Sequence, residues 1–274
     1  MLAAKLIADR INAAIAVRGP EYHCPNCNGI VILKIGRKVI AHFAHKPPTT
    51  CPWKIGETRA HLEAKSLVEQ ALSGRGLKAE VEFVVNTLHG DRRADVMAWS
   101  PKGLPIAFEL QHTPIDLNEI EARAFSYSQA DIAQVWIPFL KASVWKEGKA
   151  QAGGWFVEKY SPRPFERWIH GFYGKHGMWM YDPTEKEFWL GRMEPHHIYV
   201  NPTTWFSEGG EENSGGGFYR LSKRYKELTL KGPYKAEILL VKIEPRHAFA
   251  TKEFSWPEGR IALLVPAKCR AGKR

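Results

Sequence analysis

The sequence predicts an α/β fold: a mixed sheet flanked by helices, preceded by a small Cys/His module and followed by a β-rich region. Three observations predict it. From Thr58 to Phe139 the hydrophobic pattern reads helix, strand, strand, strand, helix, strand, the order of an α/β layer. Three of the four cysteines fall between Cys24 and Cys51. Beyond Gly154 the chain turns aromatic and Gly-punctuated, with short strand-like runs. The expected division is 1–55 for the module, 56–145 for the α/β core and 155–274 for the C-terminal region, with Lys146 to Gly154 as a linker.

With 274 residues, 44% hydrophobic and 25% charged, the chain is long enough for a substantial core. No run approaches the length of a membrane span, and Met1 to Gly19 is broken by Lys5, Asp9, Arg10 and Asn12. The expectation is a cytoplasmic protein with no membrane partner. A net charge of +10 favours a polyanionic partner, with nucleic acid the default. So few cysteines do not make a disulfide framework; their clustering points to metal.

Ile11 to Arg18 is expected as a first strand, with an N-terminal helix as the alternative. Cys24-Pro-Asn-Cys27 makes a tight knuckle, Asn28-Gly29 turns the chain into Ile30 to Lys34, and Gly36-Arg37 turns it again into Val39 to Phe43. Zinc takes four Cys/His ligands in a tetrahedron, and a two-residue spacing lets one knuckle supply two of them. Cys24, Cys27 and Cys51 are three candidates. The fourth is His42 or His45, with His45 favoured because it makes a second close pair with Cys51. Four ligands leave no open position, so the expected role of this Zn²⁺ is structural.

Thr58 is placed to cap a helix bearing Leu62, Leu67, Val68, Ala71 and Leu72, which Gly74 and Gly76 end. Glu57, His61 and Lys65 recur every four residues and share one face; the plain reading of such a stripe is a solvated surface. Lys78 to Val85 is a strand. Ala94 to Trp99 and Pro105 to Gln111 then form a hairpin across a Pro/Gly turn. Alternation puts Glu109 and Gln111 on one face and Phe108 and Leu110 on the other. Asp95 on the partner strand can meet that polar face, and carboxylates gathered at otherwise apolar positions suit a hard cation. Pro114 to Ala130 reads as a second helix started by Asp116, and Ala133 to Phe139 as a further strand.

Taken together, these stretches resemble the competence protein CoiA-like family, whose core is similar to the PD-(D/E)XK, or restriction-endonuclease-like, nucleases. The matching residues are Cys24-Pro-Asn-Cys27, His42-Phe-Ala-His45 with Cys51, and Glu57-Thr-Arg-Ala-His61-Leu-Glu-Ala-Lys65. They continue through Arg93-Ala-Asp95-Val96, Phe108-Glu109-Leu-Gln111, Arg123 to Tyr127 and Val135-Trp-Ile137. These motifs agree in order from about Met1 to Phe139, roughly half the chain.

The resemblance implies a nuclease core in which Asp95 and Glu109 hold Mg²⁺ or Mn²⁺. Gln111 stands where the superfamily pattern has lysine, a departure that replaces a cation by a neutral hydrogen-bonding amide. His61 or Lys65 is then expected to supply the missing cation or base, and Glu57 to complete the metal shell. Thr58 stands where the family more often has serine. The implied chemistry is metal-assisted phosphodiester hydrolysis, the metal polarising the phosphate and acidifying a water.

In the C-terminal half, Phe165 to Phe172 reads as a short helix. Gly177 to Asp182 and Glu187 to Gly191 read as a hairpin, Glu208 to Gly217 as a mobile loop, and Ala236 to Ile243 as a strand. The tryptophans are assigned to core packing ahead of base stacking. Arg220, Lys223 and Arg224, on a markedly basic stretch, join Arg92 and Arg93 as candidate nucleic-acid contacts. His196-His197 is discounted as a metal pair because adjacent strand residues face opposite ways. Cys269 has no partner nearby, and there is no nucleotide-binding Gly-rich loop of the Walker type.

The leading function is a metal-dependent deoxyribonuclease acting in DNA uptake, recombination or defence, with recombination or defence proteins as further partners. The competing reading is a non-catalytic, zinc-containing nucleic-acid-binding or scaffold protein with an inert Gln-substituted site.

Overall fold

The computed structural model describes residues 1–51, 53, 56–88 and 90–267; Cys269 lies outside the described residues. The N-terminal module is a five-stranded sheet of β1 (Ala3–Leu6), β2 (Asp9–Asn12), β3 (Tyr22–His23), β4 (Ile30–Lys34) and β5 (His42–His45), ordered β2-β1-β3-β4-β5. Its core is Tyr22, Val31 and Phe43 packed with Cys24 and Cys51. The strand expected over Ile11 to Arg18 begins earlier and ends at Asn12, because β1 and β2 turn at Ile7, which adopts a positive φ of 58°.

The expected helix–strand order follows. It runs α1 (Arg59–Ser73), β6 (Ala79–Val85), β7 (Arg92–Trp99), β8 (Pro105–Gln111), α2 (Leu117–Gln129) and β9 (Ala133–Pro138). Thr58 caps α1 by accepting from the His61 N–H, and Asp116 caps α2 through Asn118 N–H. Every residue of β9 is buried, as suits a strand covered on both faces. Val135 and Ile137 pack with Leu62, Val68 and Leu72 of α1, whereas Trp136 packs with Ile120 and Ala124 of α2.

The expected linker is ordered structure: α3 (Ala142–Glu147), then β10 (Lys149–Gln151) paired to β11 (Gly154–Tyr160). Trp155 explains it, since its indole N–H donates to Val144 O at 2.9 Å and its ring meets Trp145. Then come α4 (Pro164–Tyr173), β12 (Met178–Asp182) and the long β13 (Glu187–Val200). The segment expected as a mobile loop contains β15 (Glu212–Gly215), paired to β14 (Thr203–Phe206). The chain continues through β16 (Phe218–Tyr234), β17 (Leu239–Arg246), the β18 (Phe249–Ala250) and β19 (Ser255–Trp256) pair, and β20 (Gly259–Pro266).

A second five-stranded sheet runs β10-β11-β16-β13-β12, but the last strands return to the core. The central sheet is six-stranded, β17-β20-β9-β8-β7-β6, with β8, β9 and β20 mutually parallel and the other pairs antiparallel. The expected division at residue 155 is therefore not a division of this sheet: β20 covers the edge that β9 would otherwise expose. Trp136, Trp168, Trp179 and Trp256 are core residues, in line with the packing reading, whereas Trp205 is exposed.

Candidate active site and metal centres

Two clusters of metal-ligating side chains emerge among the described residues. In the first, one ligand atom from each of Cys24, Cys27, His45 and Cys51 lies within 4.8 Å of the others. Asn28, at a positive φ of 57° that asparagine tolerates better than most residues, turns the knuckle so that the Asn26 and Gly29 N–H groups donate to Cys24 and Cys27 Sγ at 3.4 Å. His45 Nε2 is 3.5 Å from Cys27 Sγ and Cys24 Sγ is 4.0 Å from Cys51 Sγ. His42 is turned away, with Nδ1 2.9 Å from the Ile40 carbonyl. The choice between the two histidines is thus made by strand alternation on β5. Burial pushes the Cys24 thiol up to about 11, which disfavours an isolated thiolate there. A three-cysteine, one-histidine set can bind zinc.

The second cluster sits where α1 meets β7. The β7–β8 ladder runs from Trp99 opposite Pro105 to Val96 opposite Phe108. Past it, Asp95 Oδ2 accepts the Leu110 N–H at 2.9 Å. The same oxygen lies 3.1 Å from His61 Nε2, and His61 Nδ1 is 3.9 Å from Glu57 Oε1. Glu57, His61 and Asp95 together offer three ligand atoms within 4.8 Å of one another. The i, i+4 stripe of α1 is not a solvated face: the side chains of Glu57 and His61 are mostly covered and Lys65 is fully buried. Burial pulls the His61 imidazolium down, but the Asp95 carboxylate outweighs it and the net shift is upward. Asp95 is correspondingly held below the usual carboxylate range, burial being outweighed by His61 and Lys65.

Glu109 is beside this cluster but differently engaged. It is 2% exposed, Tyr127 OH donates to Oε1 at 2.6 Å, and Arg123 NH1 donates to Oε2 at 3.1 Å. Burial, helped by the Asp95 charge and opposed by Arg123, raises its carboxyl to about 7. Lys65 is equally unlike the free cation expected of it. Its ammonium donates to Glu57 Oε2 at 2.5 Å and to Glu82 Oε1 at 2.6 Å, behind the cluster. Lys65 therefore positions Glu57 and does not face the cleft. Gln111 does line the cleft, with its amide nitrogen donating to the Thr113 carbonyl.

The cleft holds about 550 Å³ and is lined by Glu57, His61, Asp95, Glu109 and Gln111, with Arg92, Arg93 and Arg123 on its walls. Arg93 pairs with Glu57 at 3.2 Å and lies 4.6 Å over the Trp53 ring; Arg92 pairs with Glu119 at 3.4 Å. Arg220, Lys223 and Arg224 are exposed on β16 and do not line it. Sequence reasoning left three residues of this network without a role. Arg123 and Tyr127 are four apart on α2 and so share a face, a spacing that signals a joint contact. Glu82 looks like the solvent-facing alternate of β6. It is buried instead at a positive φ of 55°, held down to about 2 by Lys65 against burial, and its carboxylate accepts the Ala3 N–H at 3.2 Å. Arg10 donates to the Val81 and Glu82 carbonyls, so the N-terminal module docks on the residue that anchors Lys65.

The donor chemistry of Glu57, His61 and Asp95, two carboxylates and an imidazole beside an open cleft, fits a catalytic divalent cation. The fold and this site define a nuclease-like α/β protein. Residues 9–54 match the family description "Competence protein CoiA, N-terminal domain" and residues 57–207 match "Competence protein CoiA, nuclease-like domain". The chain belongs to the competence protein CoiA family. It is 30% identical over 118 residues to Competence protein CoiA of Bacillus subtilis (strain 168), a match covering 43% of this chain and 31% of that relative's length. A crystal structure of a protein of unknown function, AF1548, aligns over 29% of this chain and 46% of its own, at 15% identity and a TM-score of 0.23. Among the described residues no helix is long and apolar enough to cross a membrane.

Proposed function

We propose that this chain is a metal-dependent nuclease that hydrolyses phosphodiester bonds in DNA, in uptake and recombination or in defence. The observation that carries the reading is the convergence of Glu57, His61 and Asp95 on one point at the floor of an arginine-walled cleft. Glu57 and Asp95 would hold Mg²⁺ or Mn²⁺, with His61 beside them and Glu109 joining once it turns from Tyr127. The bound cation would supply charge neutralisation at the phosphate and a more acidic water. Arg92, Arg93 and Arg123 offer the scissile phosphate and its neighbours donors at fixed positions. Gln111, tethered through Thr113, gives the reacting region a neutral hydrogen-bonding amide where a lysine would place a charge.

A second reading, a nucleic-acid-binding protein without catalysis, draws on the engagement of both Glu109 oxygens by Tyr127 and Arg123. The test that separates the two incubates the zinc-loaded chain with single-stranded and duplex DNA and Mg²⁺ or Mn²⁺, beside Asp95→Ala. Divalent-dependent cleavage by the wild type alone supports the nuclease. Binding by both without cleavage by either supports the second reading.

A further inference from the structure

Two hollows on the N-terminal module lie in series with the acidic cleft. On the outer face of β4 lies a hollow of about 920 Å³ lined by Arg18, Ile30, Ile32, Lys34, Arg37 and Lys38 among others. A second hollow, about 510 Å³, shares Lys34 and His42 with it and reaches Trp53, Gly56 and Glu57. Those last three residues also line the acidic cleft. Successive hollows therefore share walls, in the order from the module to the cleft that holds Asp95.

The walls of this path are chemically specific. Strand alternation sends Val31 into the module core and leaves Ile30 and Ile32 facing out, 42% and 46% exposed, with Ile35 at 48% beyond the strand. Scattered exposed apolar residues are ordinary, but three gathered in one hollow make a contact surface. Around it stand Arg18, Lys34, Arg37, Lys38 and Lys46, all exposed, and none has an acidic partner among the described residues. The acid on this lining, Glu21, is taken by His23 at 3.1 Å. At the junction with the cleft, the Arg93 guanidinium lies over Trp53, pairing an aromatic ring with a cation.

We infer that this groove is the track along which a single-stranded nucleic acid reaches the acidic cleft. A polyanion matches five unpaired cations. Among polyanions, an unpaired strand alone also offers flat base faces to the isoleucines and Trp53, whereas a duplex keeps its bases stacked inside. The module is then part of the substrate site as well as a metal-bearing fold. This rests on the nuclease reading, which supplies the reason for a strand to enter the cleft.

The test uses the full zinc-loaded chain. Arg37→Glu/Lys38→Glu removes two rim cations, Ile32→Ser removes part of the floor without changing charge, and Lys102→Glu, on the exposed β7–β8 turn, is the control. Anisotropy of a labelled ~20-nucleotide oligothymidylate, measured on Asp95→Ala versions, is expected to weaken tenfold or more for the double variant. The same variant should show a salt slope shallower by about 1.4. Ile32→Ser should weaken binding several-fold at an unchanged salt slope. In the cleaving background, both variants should lose far more activity on the ~20-mer than on a tetranucleotide. Zinc content and circular dichroism report whether each variant is folded. Unchanged binding in folded variants would overturn the track, as would a preference for duplex that the variants abolish. Variants that lose binding while the wild type cleaves no strand would leave the track standing and remove the nuclease. Normal cleavage with groove variants of full affinity would do the reverse.

Discussion

The two polar centres of this molecule differ in how their ligands are gathered and in what surrounds them. The Cys24/Cys27/His45/Cys51 set comes from a short stretch of chain, held by one knuckle and one hairpin, and its four nitrogen and sulfur donors match the number that tetrahedral zinc takes. The Glu57/His61/Asp95 set comes from a helix start and a central strand, is mainly oxygen, and opens on a cleft of about 550 Å³. A metal held by the first would keep no open position. The second keeps carboxylates close together at the cost of pairing them with His61, Lys65 and Arg93. Carboxylates gathered this closely beside an imidazole make the cleft a candidate cation site.

Breaking each centre separately should expose that difference. Cys24→Ser should have the largest effect: loss of the bound zinc, a centre whose binding free energy is on the order of 10 kcal/mol. Hydrogen exchange should then show residues 1–51 losing protection while β7, β8 and β9 keep theirs. Asp95→Ala should lower cleavage about 10³-fold, the size expected when a principal transition-state group is removed, with zinc content unchanged by elemental analysis. Lys65→Met leaves the buried Glu82 without its cation and Glu57 paired with Arg93, so denaturant unfolding should show a loss of about 3–5 kcal/mol. Methionine fills the space but cannot donate.

The smallest effect concerns pH. Glu109 titrates near 7 in the fold against an ordinary 4.5, so between those values the folded chain holds a proton that the unfolded chain has released. Stability contributed by that proton falls as pH rises through this window. His61 acts in the same direction. Its raised imidazolium is stabilising below its unfolded value of 6.5, and that contribution is lost as pH rises through the higher folded value. Asp95 and Glu82, both held low, lose their contributions only in acid, as pH falls through their folded values. Without added divalent cation, Tm should therefore decline between about pH 5 and pH 8, and Glu109→Gln should flatten that decline. An unchanged slope in the variant would mean that the Tyr127 and Arg123 contacts keep Glu109 ionised.

The two centres also differ in how far the sequence reveals them. Cys24, Cys27, His45 and Cys51 are close in the chain, and spacing alone brings them together. Only the choice of His45 over His42 needed the structure, which shows His42 on the Ile40 carbonyl. For the cleft, alternation on β8 puts Glu109 and Gln111 on one face, and four-residue spacing puts Glu57, His61 and Lys65 on another. What spacing could not carry is how the sheet arranges these faces against each other. Lys65 is sealed between Glu57 and Glu82 because Glu82 takes a backbone conformation that nothing in Ala79–Val85 announces. Glu109 is claimed by Tyr127 and Arg123 because α2 crosses behind β8 on its way to β9. The return of β17 and β20 to the central sheet was equally hidden, since strand order depends on tertiary pairing rather than on any local pattern.

Two metal centres of opposite character in one chain should be separable by a single loading experiment. The most direct test is a Mn²⁺ titration of the zinc-loaded chain, followed by electron paramagnetic resonance, on wild type and Asp95→Ala. Mn²⁺ should bind the wild type beyond its zinc and should not bind the variant, with zinc retained in both. Equal Mn²⁺ binding by the two proteins, or none by either, would contradict it.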